Sequence, residues 1–159
     1  MGDLGIDLVA TVPDAGLSRL LTLCEDDPAV DVITLTTEEE GVGLLAGAWL
    51  GGRRAVLMMQ SSGIGNIVNA LTLPGVCGIP CLMLATMRGQ DGEFNPWQVP
   101  MGTRGPRVLA ELGVTCRDVE DAAAVAPAFA AAAEAAYGQG RAEAVLVAQS
   151  VIGTKSFER

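Results

Sequence analysis

The sequence predicts an α/β protein, a single three-layer domain with a mainly parallel, roughly six-stranded sheet between helices. Three observations carry this expectation. Short apolar runs alternate about six times with segments of helical period along the 159 residues, the order of a parallel sheet covered on both faces. The runs are nearly continuous in apolar, often β-branched residues, as strands buried on both faces are. The length allows one domain with a sizeable core and is too short for two ordinary ones, so residues 1–159 are expected to form one unit.

In chain order, the first strand is expected at Leu8–Val12, stopped by Pro13-Asp14. No helix fits before Gly5, so the amino end is expected to be short for a domain of this kind. A helix over Gly16–Cys24 places Leu17, Leu20, Leu21 and Cys24 on one face. Val32–Thr36 reads as a buried parallel strand, followed by a helix from Glu38 whose exit is Gly51-Gly52-Arg53-Arg54. Ala55–Gln60 is the third strand, and Ser61-Ser62-Gly63-Ile64-Gly65-Asn66 opens a helix expected to run to Leu73 and end at Pro74-Gly75. Cys81–Ala85 is the fourth strand. Thr86–Thr103 shows no period and reads as a long functional loop, a lid over Arg88–Met101 with Gly89 and Gly92 in it. A helix at Gly105–Leu112, a strand at Val114–Val119, an alanine-rich packing helix at Asp121–Tyr137 and a strand at Ala144–Ala148 complete the chain.

Composition narrows the function. Half the residues are apolar, but charges interrupt every run well short of a membrane span. The Met-Gly-Asp-Leu-Gly start lacks the basic region and apolar core of a signal peptide, so a cytoplasmic protein is expected. A net charge of −9 argues against nucleic acid or an anionic membrane as partner. No histidine is present, which removes His-based triads, bases and metal ligands. Cys24, Cys77, Cys81 and Cys116 are scattered, and Cys77-Gly-Ile-Pro-Cys81 has no second pair beside it, so no metal site is expected. Gly63-Ile64-Gly65 lacks the third glycine of a dinucleotide fingerprint, since residue 68 is valine. Ser61 and Ser62 read as helix caps with backbone N–H groups able to meet a ligand.

The stretch Thr36-Thr37-Glu38-Glu39-Glu40-Gly41 lies where a strand ends and a helix begins, the edge at which open α/β sheets bind ligands. Carboxylates there complement the helix dipole, and Thr37 with Glu40 forms a capping box. Glu38 has a second reading. At about 100° per residue it projects about 30° from the centre of the apolar stripe Val42, Leu45, Ala46 and Trp49, with Glu39 about 70° away and Glu40 nearly opposite. A carboxylate aimed at the buried side is paired or used.

These pieces together resemble the pyrimidine-binding domain of thiamine-diphosphate enzymes, with the nearer likeness to the α subunits of sulfopyruvate decarboxylases and the corresponding half of phosphonopyruvate decarboxylases. The residues that carry it are Val12-Pro13-Asp14, Glu38 to Gly43 with Ala46-Gly47-Ala48, Gln60 to Asn66 with Asn69-Ala70-Leu71, and Arg88-Gly89 with Met101-Gly102. They span Val9 to Gly102, and the block from Gln60 to Leu71 is the most specific. The resemblance implies that Glu38 is the catalytic glutamate that hydrogen-bonds the pyrimidine ring nitrogen of thiamine diphosphate from a poorly solvated place. It further implies that Pro13, Asp14, Gln60, Ser61, Ser62, Gly63 and Asn66 line the cofactor, and that the region of Arg88, Gln98 and Arg104 faces the substrate. The cofactor would accept the electrons released when a short 2-oxo acid loses carbon dioxide.

One departure sets the expected assembly. Relatives of this kind hold the diphosphate and its Mg²⁺ with a Gly-Asp-Gly motif, and here Asp91-Gly92 lacks the preceding glycine. The chain is therefore expected to be half of an active site, completed in a hetero-oligomer by a β-type subunit that carries the metal. Sulfopyruvate is the first expected substrate. Phosphonopyruvate or another short 2-oxo acid, with carboligation as an outcome, and a non-catalytic regulatory subunit are the alternatives.

Overall fold

In the computed structural model, which describes residues 1–153, six strands form: β1 (Ile6–Thr11), β2 (Asp31–Thr34), β3 (Arg54–Gln60), β4 (Cys81–Thr86), β5 (Thr115–Val119) and β6 (Ala142–Val147). All pair in parallel in one sheet of order β2-β1-β3-β4-β6-β5. The helices are α1 (Ser18–Glu25), α2 (Glu38–Leu50), α3 (Ile64–Ile67), α4 (Thr72–Cys77), α5 (Val99–Glu111), α6 (Ala122–Gln139) and α7 (Gln149–Ile152). Strand periodicity divides the core into two. Ala55, Leu57 and Met59 of β3 face the layer containing α2, α3 and α5, whereas Val56 and Met58 face α1 and α6. The expected three-layer α/β architecture is the one observed. No helix among the described residues is long and apolar enough to cross a membrane.

The order of strands locates the crevice. From β1 the chain steps outward to β2, returns to β3 on the other side of β1, and then continues in the opposite direction. The reversal between β1 and β3 opens a gap at the carboxyl edge, where ligands of doubly wound sheets bind.

Four local expectations are corrected. The strand expected to be buried at Val32–Thr36 forms as β2 at the sheet edge and is largely exposed, with Ile33 39% accessible. A β-branched run specifies extended backbone, and its place in the sheet is decided by the crossovers. The helix expected from Ser61 to Leu73 is broken into a 3₁₀ turn at Ser61–Gly63, α3 and α4. Pro74-Gly75 lies inside α4 and does not end it, because a proline in a first turn has no helical partner to lose, and Gly78 closes the helix in the left-handed region at φ 65°. The aperiodic stretch is shorter than expected, since α5 begins at Val99 with Pro100 in its first turn. Finally, the expected capping box is only half made. The Thr37 side chain caps nothing, while Glu40 Oε2 accepts from the Thr36 amide at 2.9 Å.

Trp49, placed on the apolar stripe by its period, sits at the rim instead, 37% exposed and stacked on Tyr137. The four cysteines are free, and no group of three metal-ligating side chains occurs among the described residues. Burial pushes the Cys81 thiol up to about 12, in keeping with its reading as a small core side chain.

Candidate active site

The carboxyl edge gathers its side chains from the ends of five strands. After β1, Asp14 Oδ2 accepts from the Gly16 amide and from the Thr86 hydroxyl at the end of β4, each at 3.0 Å. After β2, Glu38 occupies the first turn of α2 and is only 5% exposed, whereas Glu39 and Glu40 face solvent. The helical geometry that aims Glu38 inward therefore holds. Its Oε2 accepts from Asn66 Nδ2 of α3 at 2.7 Å. On its other side the backbone of Gly63 comes so near that a Cβ there would stand 2.5 Å from Oε1.

After β3 the chain makes its 3₁₀ turn. Ser61 is fully buried, and its Oγ accepts from the Arg88 amide at 3.0 Å rather than capping a helix. Neither Ser61 nor Ser62 supplies a side-chain cap to the segment they open. Gln60 Oε1 is buried without a hydrogen-bond partner among the described residues, an acceptor whose desolvation none of them offsets. Gly65 rests against Met101 of α5, 3.6 Å from Cε to a Cβ built there.

After β4, Arg88 is buried and bonded bidentately to Glu93, Nε to Oε2 at 2.9 Å and Nη2 to Oε1 at 3.0 Å. Glu93 also accepts from the amides of Gly89 and Asn95 and from Gln149 Nε2 after β6. The Arg88 hydrogen bonds, helped by those of Asn95, Gly89 and Gln149, hold the Glu93 carboxyl down at about 2 against the opposing effect of burial. Gln90 and Gln149 exchange amide hydrogen bonds at 2.7 and 3.0 Å. The base of the expected lid is thus fastened to the sheet, while its apex carries Trp97 84% exposed.

Of the residues singled out from the sequence, Glu38, Gly63 and Asn66 meet in one cluster, and Ser61 ties it to Arg88. Asp14 and Gln60 stand at the same edge, Pro13 and Ser62 flank it, and Gln98 Oε1 is a second buried acceptor without a partner. Arg104 does not join them; it lies on the exposed face of α5 with Arg107 and Glu111. Glu93, Gln149 and Thr86 were not foreseen. A glutamate directly after Gly92 in an aperiodic stretch was the only available signal for Glu93, because its partner Gln149 is 56 residues away.

Chemically, the arrangement offers a desolvated carboxylate with one oxygen oriented by an amide, packed into the space that glycine leaves at position 63. Such a group can hold a hydrogen bond to, or share a proton with, a flat heterocycle that reaches the carboxylate.

No family model matches the chain. It is 41% identical over 118 residues to the sulfopyruvate decarboxylase subunit alpha of Methanothermobacter thermautotrophicus, covering 74% of this chain and 72% of that one. It is 42% identical over 91 residues to the phosphonopyruvate decarboxylase of Streptomyces viridochromogenes, covering 57% of this chain and 23% of that longer protein. Among solved structures, the 2-oxoglutarate:ferredoxin oxidoreductase of Magnetococcus marinus shares the fold at a TM-score of 0.71 and 14% identity, over 94% of this chain and 27% of that one.

Proposed function

From the premise that the chain belongs to the family of sulfopyruvate decarboxylase α subunits, we propose that it forms the pyrimidine-binding half of a thiamine-diphosphate-dependent decarboxylase that converts sulfopyruvate to sulfoacetaldehyde and carbon dioxide. The single observation that carries the site assignment is the buried Glu38 carboxylate pressed against Gly63 and held by Asn66. On this reading residues 1–159 are one pyrimidine-binding domain.

The residues fit the pyrimidine end of the cofactor and not its other end. Glu38 would meet a ring nitrogen, and the orphaned Gln60 Oε1 would accept from an exocyclic amine, which removes an unpaired buried acceptor. Gly63 leaves room for the Glu38 side chain to pack on its backbone, and Asp14, Pro13, Ser61 and Ser62 stand at the same edge to line the ring. For a diphosphate with its cation the described residues offer no cluster of carboxylates and no Gly-Asp-Gly turn. We assign those to a β-type partner subunit that brings Mg²⁺.

Thiamine diphosphate, when bound, supplies the electron sink for decarboxylation. The chain's own contributions are narrower. Glu38 would hold a proton at the ring nitrogen, in a setting where a hydrogen bond to a desolvated carboxylate is strong. Asn66 fixes which Glu38 oxygen faces its own amide, leaving Oε1 on the Gly63 side. The segment after β3, through Gly63 and Asn66, packs on the carboxylate and helps to keep water from it. The same machinery acting on phosphonopyruvate is the second reading, favoured by the 42% identity to a phosphonopyruvate decarboxylase.

The test is reconstitution. The purified chain alone should bind the cofactor weakly and turn over nothing, and adding the co-expressed β-type subunit should restore cofactor affinity and sulfopyruvate decarboxylation together. Turnover by the chain alone with Mg²⁺ and cofactor would overturn the half-site assignment.

A further inference from the structure

Arg88 is the only buried cation among the described residues, and its pairing leaves part of it unused. A guanidinium carries five N–H groups in a planar fork. Nε and Nη2 are spent on Glu93, and no hydrogen bond among the described residues uses Nη1. The end of the group, with one N–H on each terminal nitrogen pointing the same way, is the geometry that receives two oxygens of an oxyanion. Glu93, by contrast, is saturated. Its Oε2 accepts from Arg88, Gly89 and Gln149, and its Oε1 from Arg88 and Asn95, with the side chain 1% exposed. It cannot turn away without losing five donors at once.

Pinning the loop does not by itself explain a cation here. A buried ion pair repays its desolvation poorly, and an apolar contact of the same size would fasten the loop as well. What a clamped arginine adds is a fork fixed in place beforehand, so little is lost in ordering it when an anion arrives. Its position suits that use, since its amide is bonded to Ser61, two residues from Gly63.

We propose that Arg88 is the specificity residue for the acidic substituent of the substrate, receiving a sulfonate or phosphonate on its free Nη1/Nη2 fork, and that Glu93 is the positioning residue that holds the fork. The inference rests on the decarboxylase reading and names what that reading leaves open, the feature that separates an acidic 2-oxo acid from pyruvate.

The experiment uses the reconstituted complex, with KM and kcat for sulfopyruvate and phosphonopyruvate and the inhibition constant of pyruvate as a competitor lacking the acidic group. Arg88→Gln should raise KM for the acidic substrates by about 10²-fold, with the loss falling on KM rather than kcat, and leave pyruvate inhibition within about threefold. Glu93→Gln should raise the same KM by about tenfold and also spare pyruvate. If KM and the pyruvate constant move together, or if KM stays put, the assignment is wrong and the pair is structural. Should Arg88→Gln fail to assemble, Arg88→Lys decides in the same way, since it keeps the charge and loses the fork. The relative KM changes for sulfonate and phosphonate show which of the two oxyanions the fork prefers. A wild-type complex that decarboxylates neither acidic substrate overturns the functional reading itself, before Arg88 is altered.

Discussion

Gly63→Ala separates folding from catalysis at this site. The backbone of Gly63 is right-handed helical, φ −63° and ψ −22°, so alanine meets no conformational penalty there. The new Cβ would stand 2.5 Å from Glu38 Oε1 and 2.6 Å from Cδ and Cγ, where ordinary contact begins near 3.4 Å. The difference, 3.4 minus 2.5, obliges the carboxyl group to withdraw by about 0.9 Å. What must yield is the end of a flexible side chain and not backbone, so the stability cost belongs at the low end of overpacking, about 1 kcal/mol, or a fall of about 2–4 °C in Tm. A misplacement near 1 Å at a group that must meet the reacting ring costs about 10²-fold in rate. The assay is turnover and cofactor proton exchange in the reconstituted complex, beside a thermal melt of the chain. A variant that melts within a few degrees of wild type and turns over within about threefold of it, while Glu38→Gln is inactive, would refute the idea that the Gly63 contact places the catalytic carboxylate.

Glu38→Gln should keep fold and assembly and lose roughly 10²- to 10⁴-fold in kcat, the scale of a general acid–base contribution, because the amide cannot share a proton with a ring nitrogen. Glu40→Gln should run near the wild-type rate, since an amide oxygen can still accept from Thr36, and the two variants assayed side by side decide which carboxylate is catalytic. Gly102→Ala should damage the fold directly, by about 3 kcal/mol or more, because its Cβ would overlap the Arg88 carbonyl, and backbone has no flexible end to give way; a melt within a degree of wild type would contradict that packing. The Glu93 carboxyl is held below its ordinary value of 4.5, at about 2, so its contribution is fully present above pH 4.5 and is lost as pH falls towards 2. Amide exchange at Gly89 and Asn95 should lose protection across that interval, and protection unchanged down to pH 2 would sink the assignment of Glu93 as the loop's anchor.

The sequence made Glu38 legible because helix geometry links neighbours. A carboxylate four residues ahead of Val42 must share its face, and no tertiary knowledge is required to say so. The six strands were legible for a similar reason, since apolar runs of strand length bounded by turn residues have few other uses. What was hidden depended on distant contacts. The start of α5, before the helix expected from Gly105, reads as loop because Pro100 and Gly102 are poor helix formers. Gly102 is there because the helix lies against the Arg88 backbone, and Gly105 because Ile64 occupies the space its Cβ would take, 2.9 Å away. Likewise β2 carries the composition of an interior strand, and only the crossover to β3 on the far side of β1 leaves it at the edge.

The same contacts bear on how the two ends of the site communicate. Ser61 Oγ holds the Arg88 amide, Gly102 fits beneath the Arg88 carbonyl, and Gly65 rests on Met101 one residue before Gly102. The loop that presents Gly63 to Glu38 and the loop that carries Arg88 and Glu93 are thus gripped by one helix. On the assignments proposed above, loops that moved independently would leave nothing to fix the spacing between the cofactor's ring and the substrate's acidic group. Here α5 sets that spacing, and Pro106 within it forfeits the helical bond to the Gly102 carbonyl at the very residue that meets Arg88. A side chain is excluded from position 102 by the Arg88 backbone, and one at position 105 would have to displace the tip of Ile64, so part of the low helix propensity of α5 is the cost of holding the two loops in register.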